Sequence, residues 1–231
     1  MTALPEREIM TVAGVDVHLW RLDLDALGED EAEVDATLSA DETERAERFR
    51  SVIDRRRWSS GRAALRRILS TYTGAAPSSI RFQYNEYGKP SLAVVASDAV
   101  PLFNLSRAGR LAVCAAARCS ALGIDVLKTP HAPTYESLAR HSCSPEERSA
   151  LELVTAGERQ AAVCQLFAYK EAYVKARGIG FSLEPDEVVI GDFLSGRAQL
   201  VRATGEHDPA RWIMREVNAF SGHRAALAVV P

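Results

Sequence analysis

A glutamate sits between two lysines in FAYKEAYVKARGIGFSLE, residues 167–184, with Lys170 just before Glu171 and Lys175 four positions after it. Helix positions four apart share a face, so Glu171 and Lys175 are neighbours if this segment is helical. On a solvated helix such a pair is a plain surface ion pair. Here the flanking residues are apolar and aromatic, which predicts a mostly buried helix. Lysine is also scarce: of 28 Lys+Arg, only Lys89, Lys128, Lys170 and Lys175 are lysine. Where arginine fills the basic surface, a retained lysine points to work for a compact ammonium. The helix then meets Gly178 and Gly180, where a chain without Cβ atoms lets a ligand approach closely.

Asp125 closes the strand-like GIDV with apolar neighbours on both sides. A carboxylate there either caps the following turn or ligates a hard cation. With Glu171 it supplies two oxygen ligands. That is too few for a calcium cage, and it suits Mg²⁺ completing its shell from water and a substrate phosphate. A phosphate-bearing substrate is implied. Arg45 and Arg48 on a first helix, Arg62 after Gly61, Lys89 in YGKP and Arg107 in NLSRAG are the basic residues available to hold it.

Positioning these groups calls for alternating helices and strands. VAGVDVHLWRL (12–22) alternates as a strand, and residues 38–74 open on Ser39 as an N-cap and end on Gly74. IRFQYNEYGKPSL (80–92) reads as a strand and a turn on Gly88 and Pro90, and 102–117 as a hairpin turning at Ala108-Gly109. A strand at 122–129, a helix from the Ser144-Pro145 cap, the lysine-bearing helix, a strand in PDEVVIG and a last strand at 222–230 follow the same order. Gly14-Val15-Asp16-Val17 matches Gly123-Ile124-Asp125-Val126 at an offset of 109, and that offset lays Gly61-Arg62 over Lys170-Glu171. The expected architecture is α+β, with two similar halves, 1–120 and 121–231, related by a pseudo-twofold and holding a ligand cleft between them.

The chain's 231 residues, 47% apolar and 26% charged, are those of a folded globular protein. A net charge of −3 without a run of five like charges argues against a grip on nucleic acid. Cys114, Cys119, Cys143 and Cys164 form no C-x-x-C pair, which argues against zinc and for a reducing compartment. The N-terminal residues lack a signal-peptide pattern and no stretch approaches 18 apolar residues. A cytoplasmic monomer without membrane contact is expected.

With YGKPSL (87–92), FNLSRAG (103–109), GIDVLKT (123–129) and FAYKEAYVKARGIGFSL (167–183) in this order, the chain resembles the Sfp-type 4′-phosphopantetheinyl transferases. ERAERF and GRAALRRIL upstream also fit, so the resemblance spans roughly residues 38–190. It implies two α+β halves with coenzyme A in the cleft, and transfer of the phosphopantetheine arm to a serine of an acyl or peptidyl carrier protein. Adenosine 3′,5′-bisphosphate is released, and the family's bacterial members often serve polyketide or nonribosomal-peptide assembly. By resemblance Asp125 and Glu171 ligate Mg²⁺, Glu171 helps deprotonate the serine, and Lys175 balances pyrophosphate charge. Lys170 and Glu147 join them as catalytic residues, while Arg45, Arg62, Lys89, Ser106 and Arg107 bind the coenzyme. Two positions depart from the pattern: Leu127 stands where many members carry a third acid, and Arg107 replaces the histidine of the SH motif. The departures leave a second reading beside the active enzyme, a coenzyme A or carrier-protein binding homologue with lost or altered chemistry.

Overall fold

The computed structural model describes residues 6–27, 30–93, 100–129, 134–180 and 182–231; Phe181, at the end of the expected G-x-G-F tail, lies outside them. The chain runs β1 (Glu8–Val12), β2 (Val15–Asp23), α1 (Glu31–Asp35), α2 (Ala40–Glu47), α3 (Val52–Thr73), β3 (Phe82–Tyr84), β4 (Pro90–Leu92), β5 (Leu102–Ala108) and β6 (Leu111–Ala117). It continues through β7 (Ala121–Lys128), α4 (Thr134–Ser142), α5 (Pro145–Glu152), α6 (Ala156–Arg177), β8 (Val188–Gly191), β9 (Gln199–Ala203), β10 (Ile213–Val217) and β11 (His223–Val230). Helix and antiparallel sheet are both present throughout, as the α+β expectation requires.

Two sheets form the centre, one in the order β1-β2-β6-β5 and one in the order β10-β11-β7. Period-two alternation explains how they stack. Val17, Leu19, Val113 and Ala115 of the first sheet share one core with Ile124, Val126, Leu227 and Val229 of the second. The outward residues Trp20, Leu22, Ala112 and Cys114 pack under Leu65, Ile68 and Leu69 of α3. On the far side Ala226 and Ala228 pack under Leu166, Tyr169 and Tyr173 of α6. The order of layers is therefore α3, sheet, sheet, α6.

The two long helices have definite ends. Ser51 Oγ accepts from the Asp54 N–H at 3.2 Å to start α3, and Gly74 ends it at φ 70°. Gly178 ends α6 at φ 66°. The strand expected at 12–22 is β2 from Val15 on, and its first residues belong to a hairpin: Val12 pairs with Val15, and Ala13 and Gly14 turn at φ 47° and 81°. That two-residue turn has positive φ at both central positions, the combination that matches strand twist. Gly14 is thus a turn residue, whereas Gly123 is the third residue of β7. The short repeat in the sequence joins residues with different jobs.

Candidate active site

Gly123 faces α6, and a Cβ there would lie 2.1 Å from the Ala172 carbonyl oxygen and 2.4 Å from the Ala176 nitrogen. Only glycine lets β7 and α6 meet backbone to backbone. Asp125, two residues along, occupies the same strand face and is buried. Lys175 Nζ reaches Asp125 Oδ1 at 2.5 Å and Ser106 Oγ at 2.8 Å, and Ser106 Oγ donates to the same Asp125 oxygen at 2.7 Å. The Val126 N–H donates to Ser106 Oγ at 3.2 Å, and the Ile124 N–H to Asn104 Oδ1 at 2.8 Å. With one donation and two acceptances, the Ser106 hydroxyl is fully used inside the cluster. Ser106, expected at the coenzyme, here holds Asp125 and Lys175 through its hydroxyl.

Glu171 is half-buried one turn before Lys175 and, among the described residues, accepts no hydrogen bond. Burial first, and the Asp125 carboxylate second, push its carboxyl above the usual value, with Lys175 opposing them. Two acids that feel each other, one of them without a hydrogen bond, form an oxygen-donor set suited to a hard cation. Among the described residues no three His, Cys, Asp or Glu side chains stand together as a ligand group. Leu127 instead packs into the apolar core beneath α6.

An arginine-lined cavity of about 200 Å³ opens beside β5, walled by Arg45, Trp58, Arg62, Tyr84, Gly88 and Arg107, among others. Glu42, on α2, builds it: this buried carboxylate takes Arg66 Nε at 2.6 Å and the Ser39 N–H at 3.0 Å, and also pairs with Arg62. Burial alone would raise the Glu42 pKa, but Arg66, the Ser39 N–H and Arg62 outweigh it and hold the group low. Arg62 also contacts the Tyr84 hydroxyl and lies over the Phe82 ring. Arg45 lies 5.6 Å from the centre of the Trp58 ring. Desolvation, then the Arg45 and Arg62 cations, lower the Arg107 pKa, yet its guanidinium forms no hydrogen bond or ion pair among the described residues. Arg107 thus sits beside two further guanidinium groups on the wall of the cavity, one of them, Arg62, paired with Glu42. Arg48 instead pairs with Glu44 on the surface. A larger cavity, about 440 Å³ beside His18 and Tyr72, touches none of Asp125, Glu171 or Lys175.

Three of the expected residues are engaged within the protein. Lys170 is 1% exposed, and its three N–H groups go to Ser142 O at 2.7 Å, Glu147 Oε2 at 2.6 Å and Pro185 O at 2.9 Å. Glu147, 2% exposed, also accepts from the Ser144 N–H at 2.8 Å and the Ile190 N–H at 2.8 Å. This pair joins α5, α6 and β8, with all three Lys170 N–H groups and three of about four Glu147 acceptor sites used inside the protein. Lys89 Nζ donates to Ala176 O at 2.8 Å and Leu122 O at 3.1 Å, two of its three N–H groups. Sequence reasoning passed over Asn104, Glu42, Trp58 and Tyr84. Asn104 stood in the quoted FNLS stretch, where a polar residue between two apolar strand neighbours was the available signal.

Comparison with known proteins gives this geometry a lineage. The family model described as 4′-phosphopantetheinyl transferase superfamily matches residues 121–230, and that described as 4′-phosphopantetheinyl transferase, N-terminal, matches residues 29–119. The chain is 37% identical over 190 residues to the 4′-phosphopantetheinyl transferase HetI of Nostoc, covering 82% of this chain and 80% of that one. The chain belongs to the 4′-phosphopantetheinyl transferase family. Identity is 30% to the 4′-phosphopantetheinyl transferase Sfp of Bacillus subtilis, over 74% of each chain. A putative 4′-phosphopantetheinyl transferase of Synechocystis is 31% identical over 67% of this chain and 62% of its own. As a phosphopantetheinyl transferase the protein takes coenzyme A as substrate and acts on carrier proteins. Among the described residues no helix of this transferase is long and apolar enough to cross a membrane.

Proposed function

We propose that the chain moves the 4′-phosphopantetheine arm of coenzyme A onto a serine of an acyl or peptidyl carrier protein serving polyketide or nonribosomal-peptide assembly. The observation that carries this reading is the Asp125–Ser106–Lys175 cluster with Glu171 beside it, on the same seam as the arginine-lined cavity. Arg45, Arg62 and Arg107 bind the adenosine-phosphate end. The serine Oγ bonds to the phosphorus that carries pantetheine while the phosphoanhydride P–O bond breaks. The electron pair leaves on adenosine 3′,5′-bisphosphate. Glu171, with its raised pKa, takes the serine proton, and Lys175 keeps one N–H for the pyrophosphate. Asp125 and Glu171 would hold Mg²⁺, which supplies charge neutralisation at the pyrophosphate oxygens.

All of these groups come from one chain, so a monomer is a complete catalyst. The four cysteines are free, and burial pushes the thiols of Cys114, Cys143 and Cys164 up, which fits work in a reducing cytoplasm. The test is incubation with an apo-carrier, coenzyme A and Mg²⁺, followed by mass spectrometry of the carrier. The expected result is a gain of one phosphopantetheine group. Tight coenzyme A binding with every carrier in a broad panel unmodified would assign the chain to the binding homologues instead.

A further inference from the structure

The turn between β3 and β4 grips the end of α6. Asn85 builds the turn from within: its Oδ1 accepts from the Tyr87 N–H at 3.1 Å and the Lys89 N–H at 2.8 Å. Its amide Nδ2 reaches across to donate to Gly178 O at 2.7 Å. The Lys89 ammonium bridges Ala176 O in the last turn of α6 and Leu122 O in β7. The last carbonyls of a helix lack intrahelical partners, and a cation there is favourable. The surfaces fit closely: a Cβ on Gly178 would lie 2.9 Å from Lys89 Cδ and 3.0 Å from Asn85 Nδ2, and one on Gly180 would lie 3.2 Å from Tyr87 Cβ.

Each contact point adjoins the chemistry. Ala176 follows Lys175, and Leu122 precedes Gly123, the residue that seats Asp125 against α6. From the turn and its flanks, Tyr84, Gly88 and Pro90 line the arginine cavity. We propose that Lys89 and Asn85 are positioning residues, a clamp that fixes the coenzyme cavity of the N-terminal half against the Asp125–Glu171–Lys175 cluster of the C-terminal half. The proposal rests on the transferase reading for its kinetic consequence and on geometry alone for the clamp.

The experiment compares Lys89→Met, Lys89→Arg, Asn85→Ala and the Lys89→Met/Asn85→Ala double variant with the wild type. Rates with coenzyme A and with dephospho-coenzyme A separate a clamp from a phosphate ligand. Misplacement of the reacting groups lowers kcat by about tenfold or more in Lys89→Met. Its preference for coenzyme A over dephospho-coenzyme A stays at the wild-type ratio, Lys89→Arg recovers part of kcat, and the double variant is little worse than the poorer single. A retained kcat with a collapsed preference would make Lys89 a phosphate ligand and overturn the proposal, as would a lowered melting temperature with kcat intact. Amide hydrogen exchange on the free proteins needs no turnover and stands even if the wild type transfers nothing. The clamp requires faster exchange in Lys89→Met both in residues 85–90 and in 176–180, by about tenfold. Unchanged exchange in either segment would also overturn it.

Discussion

A Cβ on Gly123 would come within 2.1 Å of the Ala172 carbonyl oxygen. The strand that carries Asp125 and the helix that carries Glu171 and Lys175 are as close as two backbones pack. In Gly123→Ala the obstacle is main chain, which has no rotamer to change. Unfolding in urea should show a loss of about 1–3 kcal/mol. At a temperature where the variant stays folded, its transfer rate should still fall, because α6 has been pushed away from Asp125.

Asp125→Asn and Glu171→Gln should each lower the transfer rate by more than about tenfold, roughly 1.4 kcal/mol of transition-state stabilisation. Rates with an apo-carrier check this, and either variant above a tenth of wild type would remove that residue from the reaction. Glu171→Gln should also melt higher than the wild type at neutral pH in metal-free buffer. The Glu171 carboxyl is held above its usual value by burial and Asp125, so its stability contribution is present below the unfolded value and lost as pH rises through the folded one. The advantage of glutamine should vanish in acid.

The Lys170–Glu147 pair gives a different pattern. Lys170→Met or Glu147→Gln leaves a buried partner stranded and should cost about 3–5 kcal/mol, whereas changing both to apolar residues should recover much of that loss. Denaturant unfolding of both singles and the double variant measures the cycle. Additive losses would mean the two groups act separately.

Lys89 adds a pH dependence. Burial lowers its pKa from 10.5 to about 8, so between those values the unfolded chain holds the extra proton. The contribution is present above the unfolded value and lost as pH falls through about 8. Relative to Lys89→Met, the wild type should therefore gain melting temperature between about pH 7 and about pH 10. Calorimetry of the two proteins side by side checks the sign.

Arg107 stands where the family pattern has histidine. Its guanidinium has no hydrogen-bond or ion-pair partner among the described residues, so Arg107→Ala should raise KM for coenzyme A by about tenfold with little change in melting temperature. Arg107→His should retain transfer, since both side chains donate to phosphate oxygens. Steady-state kinetics with varied coenzyme A distinguishes the two.

Local signals carried much of the fold. The Ser39 and Ser144 caps, the Gly74 and Gly178 stops and the continuous apolar runs of β6 and β11 all lie within a few residues of what they specify, whereas the Ser51 cap that divides residues 38–74 into α2 and α3 was not read. The hairpin at Ala13-Gly14 was missed because its first strand is mostly exposed and lacks an apolar rhythm. Asp125, Glu171 and Lys175 could be picked out because acid and lysine stood among apolar neighbours. Lys170 and Lys89 look the same in one dimension. What separates them from Lys175 is that Lys170 donates to the Ser142 and Pro185 carbonyls and the Glu147 carboxylate, and Lys89 to the Ala176 and Leu122 carbonyls, partners 15 to 87 positions away that no local pattern encodes.

The seam between β5 and β7 is closed by Asn104 and Ser106 rather than by a ladder of main-chain bonds. A ladder is indifferent to which residues carry it, but this joint is written in two codons. Replacing both side chains with apolar ones would strand two buried N–H groups, at about 1–3 kcal/mol each, while every sheet on either side kept its own pairing. The joint between the two sheets therefore rests on those two side chains and on the apolar core that Val17 and Leu19 share with Ile124 and Val126.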